Sequence, residues 1–299
     1  MGRAKRHHYV PRTLLRRFCD DAGKLYYAEK SPDGSFGEIQ YRNPDASFWR
    51  RNHNTILVEG EPSDLAEREY YAMLDDYLAK LLMEIEVAFA QGYEPAFRGE
   101  VLVGACFLIH AFMKRSIDFL PDFDDGQLGQ AAIDGVKNLL LVQGNRRAAE
   151  SYVQSAKGHL SAFRRGRNIR VLVDCQPPSE AVSSMLNEFS LRWAVPVAGS
   201  SFIVTSKMVY RIGNGSHNGY VNPRVECWMP LSPKRALVML RDPEGKVPLI
   251  CTMKESFVRD VNEYATDTSS VVASHSKLLI ASLIKGTRQK AYRPKSNTG

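Results

Sequence analysis

Residues 101–113 read Val-Leu-Val-Gly-Ala-Cys-Phe-Leu-Ile-His-Ala-Phe-Met, the most apolar stretch of the chain. The run is interrupted by His110 and followed at once by Lys114 and Arg115. A bilayer span needs about 20 apolar residues, so this stretch predicts a buried, central helix over about 98–117, ended by Pro121. Upstream, Leu65, Tyr70, Leu74, Leu78, Leu82, Ile85 and Phe89 recur at helical spacing up to Gly92. Ser63 and the acids after it mark that helix's start. Downstream, 127–142 and 146–163 give two more helical segments around Gly144-Asn145. The expectation is a helical block over 63–163.

The pattern then changes. Ile169–Val173 is a β-branched run closed by Pro177-Pro178, and Ser179 caps a short helix to about Leu191. Strands are expected at Phe202–Thr205, Met208–Ile212, Val225–Trp228, Ala236–Leu240 and Leu249–Cys251, with closing helices over about 254–266 and 271–284. Before the block, turns at Asp20–Lys24 and Ser31–Ser35 suggest a hairpin or small sheet built from Leu14–Phe18 and Leu25–Ala28. The fold class is α+β: a central helical block with a mostly antiparallel C-terminal portion, not a Rossmann fold. The organisation reads as a basic arm and β-containing entry region (1–62), the helical block (63–163), an α+β portion (164–284) and a basic disordered tail (285–299).

With 299 residues, 44% hydrophobic and 24% charged, the chain suits a globular protein rather than a disordered or collagenous one. The net charge of +7 is unevenly spread. Residues 1–17 carry six cations and no acid, residues 285–299 carry five and no acid, and the remainder is net acidic. Five widely spaced cysteines without a CxxC pair point to free thiols in a reducing, cytoplasmic setting. No signal peptide is evident, no membrane partner is expected, and no GxGxxG or GxxxxGK[ST] loop appears.

The most unusual local feature is His7-His8-Tyr9-Val10-Pro11-Arg12, followed by Leu14-Leu15-Arg16-Arg17-Phe18. In an extended chain the two imidazoles point to opposite faces. One could ligate a divalent metal (His7) while the other (His8) activates water for phosphodiester attack. Arg12, Arg16 and Arg17 supply guanidinium forks for phosphate, in DNA or RNA. The HHxxP pattern resembles the start of the ββα-metal nucleases of the HNH type, in which adjacent histidines divide this labour. That family expects a following Asn and His, and the nearest candidates here are Asn52 and His53.

The HHYVPR and LRRF blocks resemble the opening of the bacterial domain-of-unknown-function family DUF4238. The resemblance extends to Glu67 and Asp75, Arg115, Phe202–Ser206, Pro230–Pro233 and Asn262. Arg115, Thr205, Ser206 and Asn262 are candidates for a cleft, and the resemblance implies no established activity. In the family the Thr-Ser pair is followed by Asp-Asn-Pro, whereas this chain has Lys207-Met208-Val209. An activity dependent on that aspartate would be weakened or absent here. Three classes follow: a nucleic-acid-directed protein with metal-dependent phosphodiesterase or nuclease activity at His7, His8 and Arg12; a non-enzymatic nucleic-acid or ligand-binding module; and a structural or protein-interaction protein whose arm simply docks.

Overall fold

The computed structural model describes residues 6–58, 61–119, 144–151, 178–214 and 217–291, with single positions at 137, 141, 153 and 175. In chain order, β1 (Arg6–His8) leads into α1 (Arg12–Arg16), β2 (Leu25–Glu29) and β3 (Gln40–Arg42). Then come β4 (Trp49–Arg51), β5 (Ile56–Val58), β6 (Glu61–Ser63), α2 (Ala72–Ala90) and α3 (Gly99–Arg115). The C-terminal portion holds α4 (Glu180–Leu186), β7 (Phe189–Pro196), β8 (Val204–Thr205), β9 (Tyr210–Ile212), β10 (Glu226–Ser232) and β11 (Arg235–Arg241). It closes with β12 (Ile250–Met253), α5 (Glu255–Thr268), β13 (Val271–Ser274) and α6 (Lys277–Ala291). The fold is α+β, with central helices, mostly antiparallel sheets towards the C-terminus and, among the described residues, no repeated parallel βαβ unit. The expected segments 127–142 and 152–163 and the strand 169–173 lie largely outside the described residues.

Two compact units divide the chain: residues 1–7, 50–74 and 120–177 form one, and 8–49, 75–119 and 178–299 the other. In the first, β5 and β6 pair antiparallel, Ile56 opposite Ser63. In the second, a five-stranded sheet runs β12-β7-β11-β10-β9, and a four-stranded sheet runs β3-β2-β13-β8. Only the β12–β7 pairing is parallel among these ladders. One face of the four-stranded sheet carries the core of Ala28, Phe36, Ile203 and Val272 against Ile280, Leu283 and Ile284 of α6. Burying this apolar surface is what drives the helix onto the sheet.

Five sequence expectations change. The helix opened by Ser179 stops at Leu186, not near Leu191, because Phe189, Leu191 and Trp193 alternate with Ser190 and Arg192 and build β7. Residues 271–274 are strand rather than helix, and α6 begins only at Lys277, where Ser276 Oγ accepts from the Leu279 amide at 3.3 Å. Ser63 ends a strand; its hydroxyl accepts from the Leu65 amide at 3.2 Å, and a π-helical stretch over Ala66–Tyr71 precedes α2. Finally, Leu14–Phe18 belongs largely to helix α1, with the amides of Leu14 and Leu15 bonded to the Pro11 carbonyl. At the other end, helix α6 reaches Ala291, into the stretch read as a tail.

The N-terminal arm is part of the core. Tyr9, Val10, Leu14, Leu15 and Phe18 are all buried, and Tyr9 meets Phe48 edge-on, as Tyr27 does. Among the described residues, no helix is long and apolar enough to cross a membrane.

Candidate functional site

His8 is held by a short turn. Asn43-Pro44-Asp45-Ala46 folds into a 3-10 helix over Pro44–Ala46, capped where Asn43 Oδ1 accepts the Asp45 amide at 2.9 Å. The Asp45 backbone hydrogen-bonds the His8 ring, a contact that favours the protonated imidazole and so identifies the carbonyl as acceptor. The ring's Nε2 is buried with no hydrogen-bond partner among the described residues. Burial is the main cause that pushes the His8 pKa below the ordinary value of 6.5; Arg12 and Arg115 add to it and Asp45 opposes them. The imidazole is therefore neutral at pH 7, with its donor nitrogen occupied and a lone pair on Nε2.

The cations around it are not alike. Arg12 and Arg16 are exposed on α1, and each places a guanidinium nitrogen 3.6 Å from Asp45 Oδ1. Arg17 is half-buried: its Nε donates to the Leu231 carbonyl at 2.9 Å and its Nη1 pairs with Glu86. The arm's charge, uncompensated along the sequence, is thus partly met by acids from the body of the chain. Arg115, at the end of α3, is 2% exposed. It forks onto Asp75 of α2 and donates from Nη2 to the His8 carbonyl at 2.7 Å.

His7 sits in different surroundings. Its Nδ1 accepts the Asn54 amide at 2.8 Å, and its Nε2 lies 3.6 Å from Asp64 Oδ1. Asn54 in turn donates from Nδ2 to Glu67 at 2.6 Å, and Thr55 to Asp64 at 3.2 Å. Asn52 and His53 stand in the turn that presents the Asn54 amide, and His53 is buried. A metal on His7 would have to displace the Asn54 amide from Nδ1 or sit between Nε2 and Asp64. Among the described residues, no group of three or more His, Cys, Asp or Glu side chains could hold a metal ion. The described residues around His7 therefore do not fit a metal centre.

Thr205, Ser206 and Asn262 are buried and committed to structural bonds. Ser206 Oγ donates to Asp118 and accepts the amides of Ser270 and Val271 at 3.1 and 3.0 Å. Thr205 Oγ1 accepts from Ser269 Oγ at 2.9 Å and donates to the Lys207 carbonyl at 3.1 Å. Asn262 Oδ1 accepts the Ile203 amide at 3.3 Å, while Nδ2 donates to the Ser201 carbonyl at 2.8 Å. Lys207 reaches the Thr268 carbonyl at 3.4 Å, while Lys30 donates to the Thr266 and Asp267 carbonyls. Two cations there cap the C-terminus of α5, where the last carbonyls carry partial negative charge.

Cys19, Cys106, Cys227 and Cys251 are free thiols. Burial pushes Cys106 and Cys227 up to about 12, which makes poor nucleophiles of them.

Residues missed from the sequence include Asp45, the partner shared by His8, Arg12 and Arg16. Its signal was the Asn-Pro-Asp turn, which announces a loop but not a charge.

Residues 6–97 match the model of a family described as a protein of unknown function (DUF4238), in agreement with the resemblance read from His7 to Phe18. The match covers less than half of the chain. It takes in His8, Arg12, Asp45 and Asp75, but not Arg115, Thr205, Ser206 or Asn262. No curated protein and no solved structure matches the chain.

Proposed function

We propose that the chain is a nucleic-acid-directed protein that receives a backbone phosphate at the N-terminal arm, with His8 as its acid–base group. The observation that carries this reading is the state of the His8 ring: neutral, anchored at the Asp45 backbone, and with a buried Nε2 that has no hydrogen-bond partner among the described residues, in the field of the exposed Arg12. A neutral imidazole with one nitrogen committed can take a proton from water or a ribose hydroxyl in phosphodiester attack. Arg12 and Arg16 then meet the charge that grows on the phosphoryl oxygens. His7, bonded to Asn54 and facing Asp64, takes a structural part in this proposal.

The test incubates purified protein and His8→Ala with DNA and RNA, with and without Mg²⁺, Mn²⁺ or Zn²⁺. The expected result is cleavage or salt-sensitive binding in the parent, with cleavage lost in His8→Ala. Cleavage indifferent to the substitution would sink the catalytic role of His8. Salt-sensitive binding without cleavage would leave a non-enzymatic binding module.

A second reading has its own support. Five apolar residues of the arm, Tyr9, Val10, Leu14, Leu15 and Phe18, are buried. They favour an arm that serves first as a structural element, and the absence of any nucleic-acid binding would select this reading.

A further inference from the structure

Arg12 and Arg16 stand one helical turn apart on α1 and converge on a single atom. Arg12 Nη1 and Arg16 Nη2 are each 3.6 Å from Asp45 Oδ1, and all three side chains are more than half exposed. Two guanidiniums therefore share one carboxylate, and one positive charge is left over beside a ring that is held neutral. The contacts are longer than the roughly 2.7–2.9 Å of a charge-assisted hydrogen bond. Exposed ion pairs of this kind contribute little and are screened by salt. The carboxylate is thus weakly held where a more highly charged oxyanion would be held well, because a guanidinium fork matches phosphate oxygens bidentately.

We propose that Asp45 is a built-in stand-in for the ligand: its carboxylate occupies the seat that a nucleic-acid phosphate takes between Arg12 and Arg16, and must swing aside for binding. The proposal rests on the function argued above and adds its regulation, an internal anion that competes with the external one. The backbone of Asp45 does separate work. Its amide donates to Asn43 Oδ1 at 2.9 Å, and its carbonyl anchors His8. Asp45→Asn removes the carboxylate's charge and leaves both backbone contacts in place. A carboxylate that served to hold the arm together would predict the opposite sign, because its loss would loosen the two arginines.

The experiment uses the full chain, wild type and Asp45→Asn, with two probes: a fluorescein-labelled single-stranded oligonucleotide read by anisotropy, and inorganic phosphate read by calorimetry. Circular dichroism checks the fold, and Asp45→Ala repeats the measurement should Asp45→Asn melt early. Both probes should bind the variant about two- to fivefold more tightly, the affinity equivalent of one exposed ion pair. Adding Arg12→Ala or Arg16→Ala to Asp45→Asn should erase the gain. Equal or weaker binding of both probes to a folded Asp45→Asn overturns the proposal, even if the oligonucleotide binds elsewhere. Tighter phosphate with an unchanged oligonucleotide keeps the seat and overturns the nucleic-acid reading instead.

Discussion

Arg115 and Asp75 pair between α3 and α2 with unequal burial: the guanidinium is 2% exposed and the carboxylate 35%. The arginine is the partner that water cannot reach, and its remaining arm is spent on the His8 carbonyl. A buried cation needs its counter-charge because hydration is no longer available to it. The pair is thus what fixes β1 at the residue on which the site depends.

Removing that guanidinium should be costly. Arg115→Met leaves the Asp75 carboxylate and the His8 carbonyl without their donor, and should lower unfolding stability by about 3 kcal/mol. Arg115→Lys should recover only part of the loss, because a lysine cannot fork onto Asp75 and still reach the carbonyl. Urea denaturation of the three proteins checks this, and a neutral Arg115→Met would contradict it.

How much of this could be read from the chain depends on the distance over which each feature is specified. The central helices were legible because their apolar residues repeat locally, from Leu74 through Ile85 and again from Cys106 to Met113. Strand β7 also carried its own alternation, hidden by the capped helix just before it. Strand β13 did not: Val271-Val272-Ala273-Ser274 is buried throughout, and a short apolar run looks alike in a helix and a strand. Its identity comes from pairing with β2 on one side and β8 on the other. The site behaves similarly. The histidine pair announced itself, but the surroundings of His8 come from Asp45 and from Arg115, 107 residues away. For the hydroxyls at Thr205 and Ser206 the sequence favours a structural use over chemistry, and the side chains bonded to them are Ser269 and Asp118.

Asn262 gives a test that separates structure from function. It is 1% exposed, and both ends of its amide are bonded, to Ile203 and Ser201. Asn262→Ala strands the buried Ile203 amide and the partly buried Ser201 carbonyl, and should cost about 2 kcal/mol. Thermal or urea unfolding should show the loss, while oligonucleotide affinity of the folded variant stays at the parent value. A selective loss of binding would return Asn262 to the functional cleft.

Stability should fall on mild acidification, with His110 as a principal cause. Its ring is buried, and Nδ1 lies 2.9 Å from Tyr220 Oη. Burial first, then Lys114 and Arg211, lowers its pKa to about 4. The unfolded chain takes up a proton near pH 6.5, where the folded ring stays neutral. The neutral ring's contribution is therefore complete above about 6.5 and is lost as pH falls towards about 4. The effect is on the order of 3 kcal/mol across that window. His8 and His275, also lowered by burial, act in the same direction. His110→Phe should flatten the difference profile between pH 6.5 and 4 relative to wild type, whatever its absolute stability. Parallel profiles would show that His110 is not responsible.

Arg16 and Arg17 are neighbours in sequence but should answer opposite measurements. Arg16 is 61% exposed and meets only the exposed Asp45 in the described contacts, so it has little to lose on truncation. Arg17 is 16% exposed and ties α1 to the Leu231 carbonyl and to Glu86. Arg17→Ala should lower stability by about 1–2 kcal/mol, because a buried carbonyl loses a charged donor. It should leave the salt dependence of oligonucleotide binding unchanged. Arg16→Ala should stay within about 0.5 kcal/mol of the parent in stability. Its plot of log affinity against log salt should instead lose about one unit of slope, the signature of one phosphate contact removed. If Arg16→Ala leaves the slope intact, the guanidinium facing Asp45 makes no phosphate contact, and the arm's role narrows to packing.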